Sequence, residues 1–410
     1  MSVMRGATGS WRRRLVNRPR KGKSVIKPVL EFDWKGETLP LRCSQIDGLR
    51  INQVVGTSSD VRATKAVYMA ESGLGILWQS DFENGKLLLS AMSRRIKPLP
   101  PRRLASLSLT ERFHAERYFI GKRANILNKL LLRVEERYFV PNRRAPTLRI
   151  KPALEAAFGP AASYQPFLIP LQHLLGVLGA YQIRSEGVEI PQFPRGVKVH
   201  PHFGVFAPIR NEYLSLVQRT PLPQPCRSAW DVGTGTGVLG CILALRGVLR
   251  VLCTDNSPNA VACARETAKN LHLSSRVEVL QCDLLPSASH GLVTDLIVCN
   301  PPWIPEEPAN EMDKSVFDGK DSVMLRGVLQ GAKSRLSSHG EMWLILSDLA
   351  ERLGLRSRSE LLSWIDDAGL TIKDIVTTPA AHKRARDETD PLHVARSQEQ
   401  TELFILQIKQ

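Results

Sequence analysis

Asn300-Pro301-Pro302-Trp303 follows the apolar run Leu296-Ile297-Val298-Cys299, so a side-chain amide, two residues without a backbone donor and a flat aromatic ring close a predicted buried strand. Proline ends strands, and two in succession hold the backbone extended while leaving its carbonyls free to accept. Such a device suits the gripping of a planar NH2 group. Upstream, Trp230-Asp231-Val232-Gly233-Thr234-Gly235-Thr236-Gly237 runs from a predicted strand into a predicted helix. Glycines at 233, 235 and 237 allow a tight turn and close approach to a ligand, and the helix start presents free N–H groups. The spacing is G-x-G-x-G, whereas the pyrophosphate-binding dinucleotide fingerprint is G-x-G-x-x-G. Asp231 points the same way, because a carboxylate repels a pyrophosphate and attracts an ammonium.

Two further acids close the next two predicted strands. Asp255 ends the second, where a carboxylate suits bidentate hydrogen bonding to a ribose diol. Asp283 ends the third, where it can accept from the exocyclic amine of an adenine. Three acids at successive strand ends beside a glycine loop describe a site for a ligand with an amine, a ribose and an adenine, and S-adenosylmethionine has all three. Asp231 and Asp255 are expected to face this ligand rather than the core. No Ser-His-Asp or Cys-His set competes, since His200 and His202 lie on a connector as surface or packing residues.

These residues need a particular frame. Strands are predicted at 229–232, 250–254, 277–282, 296–299, 341–346, 371–376 and 402–408, with helices at about 238–246, 258–271, 322–337 and 357–368. Short apolar runs separated by helical patterns argue a parallel sheet of β-α-β units. Ser257-Pro258 supplies one helix with an N-cap and a favoured first residue. The polar stretch 381–400 is too short and hydrophilic for a crossover helix, so the last strand is expected to be antiparallel.

With these elements in place, residues 200–410 resemble the class I S-adenosylmethionine-dependent methyltransferases. Asn300-Pro301-Pro302-Trp303 is similar to the [N/D]-P-P-[Y/F/W] signature of the branch that methylates planar amino nitrogens of nucleobases and of glutamine. Phe317-Asp318-Gly319-Lys320-Asp321-Ser322 resembles the D-G-x-x-G/D segment of the glutamine N5-methyltransferases of release factors and ribosomal proteins, and residues 206–212 (FAPIRNE) resemble their P-R-P-E-T-E segment. The resemblance implies a seven-stranded Rossmann-like α/β sheet with S-adenosyl-L-methionine as cofactor. It implies a cofactor-binding set of Asp231, Gly233, Thr234, Gly235, Gly237, Asp255, Asn256, Asp283, Leu284 and Asn300, the glycines around the methionine part, Asp255 at the ribose and Asp283 at the adenine. Asn300, Pro301, Pro302 and Trp303 form the catalytic set. The Asn300 side-chain oxygen and the Pro301 carbonyl accept the two hydrogens of an NH2 group, Trp303 stacks on the planar group, and no strong general base is required. The implied substrate is a glutamine side chain of a translation-linked protein. The alternatives are an RNA base-amino group (guanine N2 or adenine N6) and, in another class, a non-catalytic RNA- or ribosome-binding scaffold.

Composition bounds the rest. The 410 residues carry a net charge of +16, yet residues 201–410 hold 22 Lys and Arg against 25 Asp and Glu, so the first 200 carry +19. An anionic partner, RNA or the ribosome, is expected for that half. Residues 1–30 hold nine basic residues and no acid, and are predicted to be a disordered arm: a solubilising tail, a nucleic-acid arm or a transit peptide. Residues 31–199 are predicted to be a basic mixed α+β region, helical at 60–74 and 108–138, with solvated basic connectors at 93–103 and 141–151. Seven cysteines without a C-x-x-C pair argue a reducing compartment, with no metal site and no disulfide framework. No 18-residue apolar run is present. The expected location is the cytoplasm, or a mitochondrion or other organelle if the arm is a transit peptide. Oligomeric state has no signal here.

Overall fold

The computed structural model describes residues 10–15, 30–34, 37–43, 49–57, 60–160, 165–286, 293–309 and 312–410. Two compact units divide the chain: residues 1–100 with 115–181, and residues 101–114 with 182–410. Along the first part come β1 (Ser10–Leu15), β2 (Leu30–Trp34), β3 (Glu37–Pro40), β4 (Gln53–Thr57), α1 (Ala63–Glu71), β5 (Leu74–Trp78), α2 (Phe82–Arg95), α3 (Pro101–Ala105), α4 (Leu109–Leu127), β6 (Leu130–Val134), α5 (Thr147–Phe158), β7 (Phe167–Pro170) and α6 (Leu171–Glu186). There follow β8 (Val188–Glu189), β9 (Lys198–Val199), α7 (Glu212–Arg219), β10 (Ser228–Val232), α8 (Val238–Leu245), β11 (Arg250–Asp255), α9 (Pro258–Asn270), β12 (Val277–Gln281), β13 (Thr294–Cys299), α10 (Val323–Ala332), β14 (Leu336–Ser347), α11 (Leu349–Arg352), α12 (Arg358–Asp367), β15 (Leu370–Pro379), α13 (His393–Arg396) and β16 (Gln400–Ile408).

In the first unit seven strands form a sheet in the order β3-β2-β1-β4-β5-β6-β7, parallel from β4 to β6 and antiparallel elsewhere. Phe32, Leu39, Ile51, Val54, Leu131 and Leu168 pack one of its cores. Three expectations are corrected here. The arm predicted to be disordered contributes β1, whose backbone pairs with β2 on one side and β4 on the other; two ladders supply what composition alone withholds. Residues 1–9 and 16–29 lie outside the described residues. The helix predicted over 108–138 stops at Leu127, because Leu130, Leu131, Leu132 and Val134 are buried together as a strand, a pattern that periodicity alone does not separate from a buried helical turn. The connector at 141–151 is not merely solvated: Asn142 is buried and donates to the Trp78 and Ser80 carbonyls, and Arg144 forks onto Asp81 with two contacts of 2.6 Å.

The second unit carries the predicted sheet, in the order β12-β11-β10-β13-β14-β16-β15. β10 to β14 pair in parallel, and β16 inserts antiparallel between β14 and β15. Strands buried on both faces read as continuous apolar runs, and Leu296 to Cys299 and Met342 to Ile345 are fully buried in this way. α9 starts as expected, with Ser257 accepting from the Ala260 N–H and Pro258 at the first position. The domain boundary predicted at 199/200 falls inside this unit, which also takes residues 101–114 and 182–199. Phe113 is buried there against Ile304, Ala350, Leu353, Leu392 and Ala395. Thr110 donates to the Leu353 carbonyl at 2.6 Å.

Strand order reverses at β10: the chain runs outward through β11 and β12, then returns to place β13 on the other side. In open parallel sheets, ligands bind in the crevice at the carboxyl ends beside such a switch point. Val232 pairs with Cys299 in the ladder, so the glycine loop and Asn300 leave the sheet side by side.

Candidate functional site

Asp231 sits one residue inside the end of β10 and is 1% exposed. Its Oδ2 accepts from Thr234 Oγ1 at 2.5 Å and from the Gly240 N–H at 2.8 Å, so this carboxylate ties the glycine loop to the first turn of α8. The expectation that it faces ligand rather than core is therefore corrected: half of it is structural. The other oxygen, Oδ1, is buried with no hydrogen-bond partner among the described residues. Burial pushes the carboxyl up to about 6, against the opposing pull of its two donors.

Asp255 closes β11 and holds the loop from the other side. Its Oδ2 accepts from the Gly235 N–H at 3.0 Å and its Oδ1 from the Ser257 N–H at 2.9 Å, leaving a lone pair on each oxygen for a diol. The Thr234 N–H donates to the Thr254 carbonyl at 2.9 Å. Asp283 lies two residues beyond the end of β12 and is exposed, rather than closing the strand as predicted. Leu284 takes a φ of +55° and gives its carbonyl to Thr254 Oγ1 at 2.7 Å, and the exposed Asn256 gives its carbonyl to Gln281 Nε2 at 3.2 Å.

The three glycines divide their duties. A Cβ on Gly233 would lie 2.3 Å from Met324 Cε, and one on Gly237 would lie 2.9 Å from the Ala264 Cα. Packing against the α9 backbone requires glycine at 237, whereas at 233 the neighbour is the far end of a flexible side chain and the φ of +69° is what favours glycine. At Gly235 a Cβ would meet nothing within 4 Å among the described residues, so this residue opens onto the crevice. An orphaned buried carboxylate oxygen, an open glycine and an acid with spare lone pairs at the next strand end match the ammonium, the close approach and the ribose of S-adenosylmethionine.

On the other side of the switch point Asn300 is half-buried and Pro301 buried. The indole of Trp303 donates from Nε1 to Asn300 Oδ1 at 2.9 Å. Its ring lies under Arg210, whose guanidinium carbon is 4.9 Å from the indole centroid. The half-buried indole also packs against both hydrophobic clusters of this sheet. Beyond Trp303 the chain pairs with the 317–322 segment: the Ile304 N–H donates to the Val316 carbonyl and the Asp318 N–H to the Ile304 carbonyl. Asp318 in turn accepts from the Met324 and Leu325 N–H groups and fixes the start of α10. Residues 206–212 thus reach Trp303 and residues 316–318 reach Ile304, both close in sequence to Asn300, which leaves the sheet beside the glycine loop. Sequence reasoning missed Arg210 as a cover for Trp303 and Met324 as the packing partner of Gly233, and neither carries a local signal beyond the segment it belongs to. His202 lies 2.7 Å from Glu266, and His200 lies 2.6 Å from the Arg184 carbonyl, in packing roles as expected.

Comparison with known proteins follows the same geometry. The family model of the methyltransferase small domain matches residues 196–352. The tRNA1(Val) (adenine(37)-N6)-methyltransferase of Actinobacillus pleuropneumoniae serotype 7 is 30% identical over 188 residues, which is 43% of this chain and 79% of that protein. The chain belongs to the S-adenosylmethionine-dependent methyltransferases. The release factor glutamine methyltransferase of Moorella thermoacetica is 34% identical to this methyltransferase over 161 residues, which is 34% of this chain and 56% of that protein's length. The solved ribosomal protein L11 methylase of Lactobacillus delbrueckii subsp. bulgaricus aligns over 48% of this chain and 76% of its own at 18% identity, with a TM-score of 0.33, too slight a likeness to argue from. Among the described residues no helix of the methyltransferase is long and apolar enough to cross a membrane.

Proposed function

We propose that this methyltransferase transfers a methyl group to the side-chain amide nitrogen of glutamine in a translation-linked protein. Bound S-adenosylmethionine supplies the electrophilic methyl and a thioether leaving group. Asp231 Oδ1 holds the ammonium, Gly235 lets the methionine part lie close, Asp255 takes the ribose hydroxyls and Asp283 the adenine amine. Asn300 Oδ1 and the Pro301 carbonyl accept the two N–H hydrogens of the incoming amide. That draws the nitrogen lone pair out of conjugation and directs it at the methyl. The nitrogen is deprotonated only after the N–C bond has formed, so positioned acceptors suffice. Trp303 would stack on the planar amide.

One observation carries the choice of glutamine: both segments that resemble the glutamine-modifying enzymes pack beside Asn300-Pro301-Pro302-Trp303, residues 206–212 through Arg210 over the indole and residues 317–322 through the Asp318 N–H on the carbonyl of Ile304, the next residue. A second reading, methylation of an RNA base amine, is favoured by the +19 charge of the first half and by the relative of which the chain covers 79%. Transfer of tritiated methyl into fractionated lysate, followed by digestion with protease or nuclease, tests both. Label released only by protease supports glutamine, and label released only by nuclease overturns it in favour of RNA.

A further inference from the structure

Arg210 is held more firmly than a surface arginine. Its Nε donates to Glu212 Oε1 at 2.6 Å and its Nη2 to Glu399 Oε1 at 3.2 Å. The Glu399 side chain is fully buried and accepts also from Ser347 Oγ at 2.8 Å. His382 completes the set. Its Nδ1 accepts from the Ala385 N–H at 3.2 Å, which leaves the proton on Nε2 to donate to Glu399 Oε2 at 2.9 Å. Burial works to raise the Glu399 carboxyl, but His382, Arg210 and Ser347 together hold it below the usual carboxylate range. The carboxylate therefore stays charged and keeps the guanidinium in place. The polar stretch between β15 and β16, read from sequence as a bare connector, supplies both His382 and Glu399.

We propose that Arg210, anchored by Glu399, is a positioning residue for methyl transfer: it caps one face of Trp303 and fixes the indole N–H on Asn300. With one lone pair of Asn300 Oδ1 committed to Trp303, the remaining lone pair has a single direction, toward the substrate NH2. The proposal rests on the reading of Asn300 and Trp303 given above and names the device that orients them. It holds for a glutamine amide and for a base amine alike.

The test uses the full chain labelled with 5-fluorotryptophan, in which the Trp303 signal among the seven tryptophans is identified by its loss in Trp303→Phe. In Arg210→Gln the Trp303 fluorine resonance is expected to shift, S-adenosylmethionine affinity by calorimetry to stay within about twofold, and turnover in the label-accepting lysate fraction to fall about tenfold or more. Arg210→Lys, which keeps the cation, recovers part of that loss. In a Trp303→Phe background the Arg210→Gln substitution is expected to change turnover by less than about twofold, because its effect passes through the indole. An equal loss in both backgrounds, or an unmoved resonance with parental turnover, overturns the proposal. If Trp303→Phe and Asn300→Ala themselves transfer methyl at the parental rate, the amino-nitrogen reading fails and the proposal with it. If those two are slow while Arg210→Gln is not, the positioning proposal alone fails.

Discussion

Asp231 ties the glycine loop to α8 and is proposed to hold the cofactor's ammonium, two roles that a substitution can separate. Its carboxyl is raised by burial from 3.8 to about 6, so ionising it costs the cofactor-free fold about 3 kcal/mol. The folded value lies above the unfolded one; the associated stability is therefore present below pH 3.8 and is lost as pH rises through about 6. S-adenosylmethionine has the opposite preference, because its ammonium favours the ionised acid. Affinity measured by calorimetry is expected to rise as pH passes about 6 and then level off. In Asp231→Asn the oxygen can still accept from Thr234 and Gly240, so at pH 7.5 the free protein should melt no lower than the parent. Its affinity should fall by about tenfold to a hundredfold, the loss of a charge-assisted contact of about 1.5 to 3 kcal/mol. Asp231→Ala, by contrast, strands the Gly240 N–H and is expected to lower melting temperature as well. For Asn300→Ala the expectation is cofactor affinity close to parental with methyl transfer reduced by orders of magnitude, since the lost contact is made to the substrate nitrogen in the transition state. Asn300→Asp keeps an acceptor and should retain more activity than the alanine variant.

At the scale of elements, the turn between β10 and α8 separates Gly237, which packing requires, from Gly235, which is proposed to face the ligand. Gly235 has a φ of +55° and open space at its Cβ. Gly235→Ala should therefore cost only the left-handed strain of about 1 to 2 kcal/mol, seen as a small drop in melting temperature, yet weaken S-adenosylmethionine binding severely. Gly237, at a φ of +82°, would drive its Cβ into the Ala264 backbone. Gly237→Ala is expected to unfold the α8–α9 packing, seen as a large loss of melting temperature before any question of affinity arises. The contrast between the two melts, with calorimetry on the stable one, checks the division.

Across the whole molecule, the catalytic unit reaches back into the basic half of the chain for residues 101–114. Phe113 is 5% exposed in a cluster with Ile304, the residue next to Trp303. Phe113→Ala is expected to remove about 3 to 5 kcal/mol and to slow methyl transfer while leaving S-adenosylmethionine affinity near parental at temperatures where the protein stays folded. A thermal melt beside calorimetry reads both effects. Because β1 lies within residues 1–30, an anionic partner for that arm is better tested by charge removal than by deletion. Replacing Arg5, Arg18, Arg20, Lys21 and Lys23 with serine is expected to weaken pelleting with ribosomes, most at low salt, with cofactor affinity unchanged.

What was legible in the sequence is what short-range chemistry dictates. Apolar runs of four to six residues, the Ser257-Pro258 start and the G-x-G-x-G turn located the seven strands and four helices of residues 228–408, because each is specified by its own neighbours; α10 ends five residues before the predicted end, β14 starts five residues early, and the short α11 and α13 were not predicted. Strand-end acids and Asn300-Pro301-Pro302-Trp303 were likewise visible as residue types at strand ends. Three things required the tertiary structure. The leucine run 130–134 became a strand because a sheet edge was there to receive it. Asp231 became half structural because Gly240, on the first turn of α8, comes back within reach of its carboxylate. Glu399 and Arg210 met across 189 residues, where no local pattern records that a charge in a polar loop is buried, and burial is a property that only the packed chain confers on it.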